Sequence, residues 1–215
     1  MEKATGVKTG LKIALLGAES TGKTTLAREL ALRFSQLGRK AVAVPEALRD
    51  WCVREGRVPR PEEQMAIAQE QERRVDEACA HADIVIADTT AVMVAIYSAM
   101  LFDDHALLRF AAERQRSYDI TLVTGLDLPW VADGLQRDGP HVRAPVDAQV
   151  RELLARSGVE FRVIYGSGEE RVRNALSAID ASLAPRSDVR QWIWQCDKCS
   201  DPECEHRLFA RLLGG

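Results

Sequence analysis

The sequence predicts an α/β protein built on a doubly wound, five-stranded parallel sheet, and three observations lead to this expectation. Five short runs rich in apolar residues alternate with stretches of helical periodicity, a pattern typical of a parallel sheet with helices on both faces. Polar or glycine-containing segments follow the ends of these runs, and ligands bind at that edge of an open α/β sheet. The 215 residues are enough for one substantial core.

The expected elements follow each other in the order strand, helix, strand from Leu11 onward. The predicted strands are residues 11–16, 41–44, 83–87, 119–124 and 160–165. The first helix is expected to end near Leu37, because Gly38 is a stop signal. The charged helix that begins at Pro61 is expected to turn its Glu, Gln and Arg side chains to water. The predicted later helices are residues 61–82, 91–101, 104–117 and 146–157. A final amphipathic helix is expected after residues 166–168, with Val172, Leu176, Ile179 and Leu183 on one face.

Residues 127–143 interrupt this alternation, because they are polar and contain several Gly and Pro residues. Arg137 and Arg143 lie at the two ends of the tip of this segment. A segment of this kind is typical of a lid that closes over a ligand. We therefore expect a mobile lid between the fourth strand and the following helix.

The segment after the first strand carries a phosphate-binding pattern. Its sequence Gly-Ala-Glu-Ser-Thr-Gly-Lys-Thr at residues 17–24 fits G-x-x-x-x-G-K-[ST]. The glycines let consecutive N–H groups approach a phosphate, and the following helix directs its positive end at the same anion. This predicts a P-loop NTPase that binds a nucleoside triphosphate, with Lys23 near the terminal phosphates and Thr24 on Mg²⁺. The predicted nucleotide-binding residues are Gly17, Glu19, Ser20, Thr21, Gly22, Lys23, Thr24 and Thr25.

Two acidic residues follow other predicted strands. Asp88 comes directly after the third strand, where a second carboxylate that organises magnesium belongs in this architecture. An Asp that caps the next helix is the alternative. Glu46 follows the second strand, with Arg49 one helical turn later; a surface ion pair is the alternative for these two residues.

Several of these motifs together resemble the ribosylnicotinamide kinase domain of NadR-type NAD biosynthesis proteins, over roughly residues 11–183. They are residues 17–24, Pro45-Glu46-Ala47-Leu48-Arg49, Asp88-Thr89 and, most specifically, Asp127-Leu128-Pro129-Trp130-Val131-Ala132-Asp133-Gly134 with Arg137 and Arg143. The resemblance implies phosphoryl transfer from ATP to the 5′-hydroxyl of nicotinamide riboside. It departs from the family at Ala47, where an aromatic residue is usual, and at Thr90, where a second acid is common.

The resemblance assigns roles to individual positions. Asp88 would support the metal, and Arg137 and Arg143 would stand where the lid arginines stand. Apart from the resemblance, the position of Glu46 at the end of the second strand makes it the first candidate to orient the acceptor hydroxyl and accept its proton. Asp88 is the second, because magnesium would compete for it. The remaining catalytic candidate is Lys23, and the substrate-binding candidates besides Glu46 are Arg49, Trp130 and Asp133.

Trp130 and Asp133 each keep an alternative explanation. The Trp130 indole could stack on a flat ring, including a cationic nicotinamide, or anchor the lid in the core. The Asp133 carboxylate could bind ribose hydroxyls or cap a lid helix.

The end of the chain follows a different pattern. Cys196, Cys199, Cys204 and His206 fall within a short span, and three thiolates with one imidazole complete a tetrahedral zinc shell. A structural zinc knuckle is therefore expected in a tail of residues 185–215, with free thiols or a redox or iron–sulfur role as alternatives. The expected division of the chain is a disordered start (1–10), a kinase domain (11–184) and this tail.

The composition limits the partners. There are 29 Lys and Arg residues against 32 Asp and Glu, a net charge of −3, so no basic field attracts nucleic acid or an anionic membrane. No apolar run is long enough for a membrane span, and the first ten residues lack the apolar region of a signal peptide. We expect a cytoplasmic protein acting on a small molecule, with the tail as a surface for a second copy or a partner protein. A kinase for another nucleoside or nucleotide and a regulatory ATPase with a partner-binding zinc tail remain alternatives.

Overall fold

The structure is a computed structural model, and it describes residues 10–131 and 139–184. Contacts divide the chain into two units, Met1–Ser182 and Leu183–Gly215. The elements below lie in the first unit, except for Leu183, the last residue of the final helix. The strands are β1 (Leu11–Leu16), β2 (Ala41–Val44), β3 (Ile84–Asp88), β4 (Ile120–Thr124) and β5 (Arg162–Ile164). The helices are α1 (Lys23–Gln36), α2 (Ala47–Glu55), α3 (Pro61–Cys79), α4 (Ala91–Phe102), α5 (Ala106–Gln115), α6 (Arg143–Arg156) and α7 (Gly168–Leu183).

The five strands form one parallel sheet in the order β2-β3-β1-β4-β5. Strand β1 is central, with Leu11 opposite Ile84 of β3 and Ile13 opposite Ile120 of β4. Every neighbouring pair is parallel, which confirms the predicted α/β sheet. Because β1 is central, the segment that follows it lies in the middle of the edge where the strands end.

Helices cover both faces of the sheet, as the apolar character of β1 requires. Ile13 and Leu15 of β1 pack in a cluster with residues of α1 and α7, such as Leu30 and Ile179. Alternate residues of β1 belong to clusters on the other face, where α3, α4, α5 and α6 supply most of the apolar side chains. The doubly wound architecture follows from this alternation.

Helix α2 has no counterpart among the predicted elements. It begins directly after Glu46 and ends at Gly56, whose φ of +68° is left-handed and whose N–H donates to the Cys52 carbonyl over 2.9 Å. A glycine in this conformation is a common helix terminus. The helix therefore places Arg49 and Cys52 on a regular surface beside the end of β2.

The expectation that the polar residues of α3 face water is wrong for three of them. Gln64, Gln71 and Glu72 are almost fully buried. The Gln71 Oε1 accepts a hydrogen bond from the N–H of Ala47 over 2.7 Å, and the Glu72 Oε1 accepts one from the N–H of Ala91 over 2.9 Å. These are the first backbone N–H groups of α2 and α4, which have no partner inside their own helices. Two neighbouring side chains of α3 thus satisfy the beginnings of two other helices.

The segment predicted as a lid is described only in part. Residues 132–138, which include Asp133 and Arg137, lie outside the described residues. After them, Pro140–Val142 forms a 3₁₀ turn, and α6 begins at Arg143, three residues before the predicted start. Arg143 thus belongs to a helix and not to the predicted loop. Among residues 10–131 and 139–184, no helix is both long and apolar enough to cross a bilayer.

Candidate active site

The phosphate-binding pattern forms the connection between β1 and α1. Gly17 has a φ of +139°, and a Cβ atom there would lie 2.3 Å from the hydroxyl oxygen of Thr124, so only glycine fits. The Thr124 hydroxyl also lies 2.6 Å from that of Thr21, which donates to the Ala18 carbonyl over 2.8 Å. The end of β4 therefore supports the loop through hydrogen bonds that run from Thr124 to Thr21 and from Thr21 to Ala18.

Lys23 lies at the start of α1, and its ammonium group returns to the loop. The Nζ donates to the carbonyl oxygens of Gly17 and Ala18 over 2.8 and 2.7 Å. A lysine ammonium is a compact cation with several donors. These contacts hold the charge beside the loop whose N–H groups would bind phosphate.

Thr24 and Asp88 meet at the other side of the loop. The Thr24 hydroxyl donates to the Asp88 Oδ2 over 2.5 Å. Asp88 is buried, and its Oδ1 has no hydrogen-bond partner within the described residues. Hydroxyl and carboxylate oxygens are the ligands that Mg²⁺ prefers, and an unpaired buried oxygen is a position that a cation would satisfy. The pair therefore fits a magnesium ion.

The alternative for Asp88, that it caps the next helix, does not match the structure. Thr90 is the N-cap of α4, and its hydroxyl accepts from the N–H of Val92 over 3.2 Å. The same hydroxyl donates to Gln115 over 2.7 Å. The threonine at the position of the family's second acid is thus a structural residue.

Glu46 and Arg49 form an ion pair at the beginning of α2, with 3.6 Å between the Glu46 Oε2 and the Arg49 Nε. The Glu46 side chain is only 14% exposed. Burial raises the pKa of the Glu46 carboxyl above its ordinary value, the nearby Asp88 raises it further, and Lys23 and Arg49 oppose the rise. A carboxyl group tuned upward in this way is suited to accept a proton near neutral pH.

The loop residues and the Glu46–Arg49 pair share one cavity of about 570 Å³, a size typical of small-molecule sites. Asp88 is not among the described residues that line it. Residues 19–25 of the loop line it together with Glu46 and Arg49. The remaining walls come from α2, α3, α4 and the segment before α3. The additional lining residues are Arg28, Leu48, Cys52, Val58, Pro59, Gln64, Tyr97, Leu101 and Phe102.

Two further candidates lie elsewhere. Trp130 is half-buried and Arg143 is buried, and neither belongs to the described residues that line the cavity. The Arg143 Nη2 donates to the carbonyl of Leu126 over 3.3 Å. Asp133, Arg137 and the four tail ligands Cys196, Cys199, Cys204 and His206 lie outside the described residues.

The beginning of the predicted lid is tied to the phosphate loop. The Ser20 hydroxyl donates to the carbonyl of Val131 over 2.7 Å and accepts from its N–H over 3.1 Å. One side chain therefore satisfies both backbone groups of a residue more than a hundred positions away. Any movement of the chain at Val131 acts directly on a residue of the loop.

Arg171 of α7 is a supporting residue that the sequence did not indicate. Its guanidinium is buried and donates to the carbonyls of Thr21 over 2.9 Å and Gly166 over 2.6 Å, and to the Asp127 carboxylate over 3.1 Å. It joins the phosphate loop to the segments after β4 and β5. Because Thr21 and Asp127 are distant from it in sequence, no local pattern could have identified it.

The cavity also contains residues that sequence reasoning missed. Arg28 lies one helical turn after Thr24 on α1, so helical spacing could have indicated it. Tyr97 and Phe102 lie on α4, whose apolar sequence predicts only a buried helix. The composition of α3 predicts that Gln64 faces water, and the side chain is buried instead. The acceptor side of the site was therefore the part that the sequence described least.

Comparisons with known proteins agree with this architecture. The family model described as an AAA domain matches residues 12–171. The solved structure of the NadR protein in complex with NR superimposes with a TM-score of 0.65 at 18% identity, covering 83% of this chain and 52% of that chain. NadR in complex with NAD and AMP-PNP gives 0.65 at 16% identity, covering 84% and 51%. The chain thus spans about half the length of these structures.

At these identities the likeness concerns the fold, and it confirms the expected resemblance to NadR at that level. A comparison with curated protein sequences found no significant match. The family model covers well over half of the 215 residues, and the loop at residues 17–24 lies between a strand and a helix, which is the context that its motif requires. The chain therefore belongs to the AAA domain family of P-loop nucleotide-binding proteins.

Proposed function

We propose that the protein is an ATP-dependent kinase that phosphorylates the 5′-hydroxyl of nicotinamide riboside. The observation that carries the proposal is the shared cavity, in which the phosphate loop and the Glu46–Arg49 pair face the same space. A kinase needs its phosphate donor and its acceptor hydroxyl in one enclosure. The NadR structure bound to NR supports the choice of acceptor.

On the donor side, the loop N–H groups and Lys23 would hold the phosphates of ATP. Thr24 and Asp88 would hold magnesium, which neutralises charge on the phosphates when it is bound. Phosphoryl transfer requires mainly positioning and charge stabilisation. These residues are suited to that task because Thr124 and Arg171 hold the loop at Thr21, and the loop carbonyls in turn hold Lys23.

On the acceptor side, Glu46 would orient the 5′-hydroxyl and accept its proton. The upward direction of its pKa supports this role, because a stronger base removes the proton more readily. Arg49 would keep the Glu46 carboxylate in place through their ion pair. Leu48, Tyr97 and Phe102 provide apolar surface that excludes water, and water would otherwise compete with the acceptor.

The lid residues complete the proposal. Arg137 and Arg143 would cover the transferred group, while Trp130 and Asp133 would contact the nicotinamide riboside. For Arg143 this role requires the guanidinium to leave the Leu126 carbonyl. Trp130 does not line the cavity either, so the proposed lid mechanism requires a rearrangement both at Trp130 and at the start of α6.

A second candidate function is a kinase for a nucleotide, and Arg28 favours it. Arg28 is an exposed residue of α1 that lines the cavity. A guanidinium at this position could bind the phosphate of an acceptor nucleotide. Replacement of Arg28 by Ala would weaken the binding of a nucleotide acceptor and leave the binding of a nucleoside acceptor unchanged.

The proposals for the ends of the chain rest on sequence alone. They are a structural zinc ion on Cys196, Cys199, Cys204 and His206, a tail of residues 185–215 that binds a second copy or a partner protein, and a kinase domain that covers residues 11–184. A cytoplasmic location belongs to the same group. None of them changes the chemistry proposed for the cavity.

The deciding experiment measures ADP release from ATP and magnesium with and without nicotinamide riboside, followed by mass detection of the mononucleotide. A kinase should release ADP only with the acceptor, and Lys23→Ala should abolish the release. Lys40→Ala, an exposed lysine that does not line the cavity, serves as the control. ADP release at the same rate with and without every acceptor tested would instead identify a regulatory ATPase.

A further inference from the structure

We infer that Gln64 selects acceptors whose flat ring carries an N–H donor, such as a primary amide or an exocyclic amine. An otherwise identical acceptor with a carboxylate or a carbonyl at that position would bind less well. The inference rests on the proposed function, because it treats the cavity as the acceptor site. It adds the chemical feature by which the acceptor is recognised.

The first observation is an unpaired buried oxygen. Gln64 is 2% exposed, and its Oε1 has no hydrogen-bond partner within the described residues. Seven residues later on the same helix, the equally buried Gln71 uses its Oε1 to accept from Ala47 over 2.7 Å. Buried side-chain amides normally have partners, and an unpaired one destabilises the fold. Gln71 also keeps an unpaired atom, its Nε2, but Gln71 does not line the cavity. Gln64 is therefore the one of the two whose missing partner a ligand in the cavity could supply.

The second observation is the position of this amide at the wall of the cavity. Gln64 is the single carboxamide side chain among the described residues that line it, where the other polar groups are charged or carry hydroxyls. Its fellow wall residues include Leu48, Val58, Tyr97 and Phe102. Apolar and aromatic walls with a few polar groups are typical of sites that hold a flat ring and fix its orientation.

The chemistry of the oxygen gives the preference. A carbonyl oxygen accepts a hydrogen bond from an N–H group. A carboxylate or carbonyl on the ligand offers only lone pairs, so both oxygens would stay unpaired. Sites built around a hydrogen bond reject analogues that cannot form it much more strongly than sites built on shape alone.

The test uses two matched pairs of acceptors: nicotinamide riboside with nicotinic acid riboside, and cytidine with uridine. In each pair the first member has an NH₂ group where the second has an oxygen. The wild-type protein should favour the first member of a pair by roughly tenfold or more in kcat/KM. Binding of the same compounds with AMP-PNP present, measured by calorimetry, should show the same order.

Gln64→Met is the informative variant, because it keeps the volume and removes both polar groups. The preference within each pair should disappear, and the melting temperature without ligand should rise, because the unpaired oxygen is gone. A purely structural glutamine would lower the melting temperature and leave the preference unchanged. Gln69→Met, an exposed position on the same helix outside the cavity, should change neither quantity.

Gln64→Glu provides a second variant that retains acceptor oxygens. It should keep the preference for the NH₂-bearing member and weaken binding of nicotinic acid riboside further. An unchanged preference in Gln64→Met, or a wild-type preference for the oxygen-bearing members in binding, would overturn the inference. Preferential binding without phosphorylation of any compound would reject the kinase and retain Gln64 as the selecting residue. Phosphorylation of both members of each pair at equal rates would support the kinase and reject Gln64 as the selecting residue.

Discussion

The hydroxyl of Thr24 and the carboxylate of Asp88 are 2.5 Å apart, in a hydrogen bond that joins the first turn of α1 to the end of β3. The two residues are separated by more than sixty positions, and they meet because β1 and β3 are neighbours in the sheet. The second carboxylate oxygen has no partner in the described part of the chain. The hydrogen bond therefore fixes the Asp88 carboxylate and leaves its Oδ1 available to coordinate a metal ion.

Asp88→Asn should reduce kinase activity by about 10²-fold or more, in the range found when a charge-stabilising group is removed. It should also raise the magnesium concentration needed for half-maximal activity, because the carboxylate charge is lost. Activity measured across a magnesium titration tests both effects. Asp180→Asn on the exposed surface of α7 is the control. Unchanged magnesium dependence in Asp88→Asn would exclude this carboxylate from the metal site.

The activity should fall as the pH is lowered through the raised pKa of Glu46, because the protonated carboxyl can no longer accept a proton. The acidic limb of kcat/KM should therefore lie above 4.5, the ordinary value for this group. Arg49→Ala should move the limb to higher pH, because Arg49 lowers the Glu46 pKa. Arg54→Ala, an exposed arginine of α2 outside the cavity, should leave it in place. If the acidic limb of kcat/KM lies at the same pH in Arg49→Ala as in the wild type, the Glu46–Arg49 pair does not set the pH dependence of the reaction.

The same carboxyl group should affect stability in the opposite sense. A raised pKa means that the folded state binds the proton more tightly than the unfolded state. The contribution of Glu46 to stability is thus present below pH 4.5 and is lost as the pH rises through the folded-state pKa. Glu46→Gln should therefore stabilise the protein at neutral pH while it removes activity, and thermal unfolding at pH 4 and pH 7.5 measures the difference.

Arg171→Met should destabilise the protein by about 3 kcal/mol, because it leaves the Thr21 and Gly166 carbonyls without their buried donor. It should also raise the KM for ATP more than the KM for the acceptor, since Thr21 belongs to the phosphate loop. Urea unfolding and steady-state kinetics supply the two measurements. Arg173→Met, exposed on the same helix, should be nearly neutral. Equal effects of both variants would contradict a specific support of the loop.

Cys199→Ser should lower both the zinc content and the melting temperature of the full chain, if the tail binds a structural metal. Elemental analysis of the purified protein gives the zinc content directly. The wild-type chain should hold one zinc ion per molecule. Absence of zinc from the wild-type protein would show that the four ligands serve another purpose.

The sheet and the phosphate loop could be predicted because their signals are local. The apolar run at residues 11–16 and the motif at residues 17–24 each lie within a few positions, and the structure has β1 and the loop there. The support of the loop could not be predicted in this way. Thr124 and Arg171 reach it from distant parts of the chain, and only the packed fold brings them together.

The acceptor side shows why composition misled the prediction for α3. A helix rich in Glu, Gln and Arg normally faces water, and several of its side chains do so. Gln71 and Glu72 are buried because they satisfy backbone N–H groups of other helices. The sequence of α3 alone cannot indicate those partners, because they lie in α2 and α4. Arg143 is a similar case, since it begins α6 where the polar sequence predicted a loop.

The adjacent Gln71 and Glu72 have a mechanical consequence. Each holds the first turn of a helix that forms a wall of the cavity, α2 on one side and α4 on the other. A tilt of α3 would therefore displace the first turns of α2 and α4 together. The width of the cavity is thereby coupled to the position of the middle of α3.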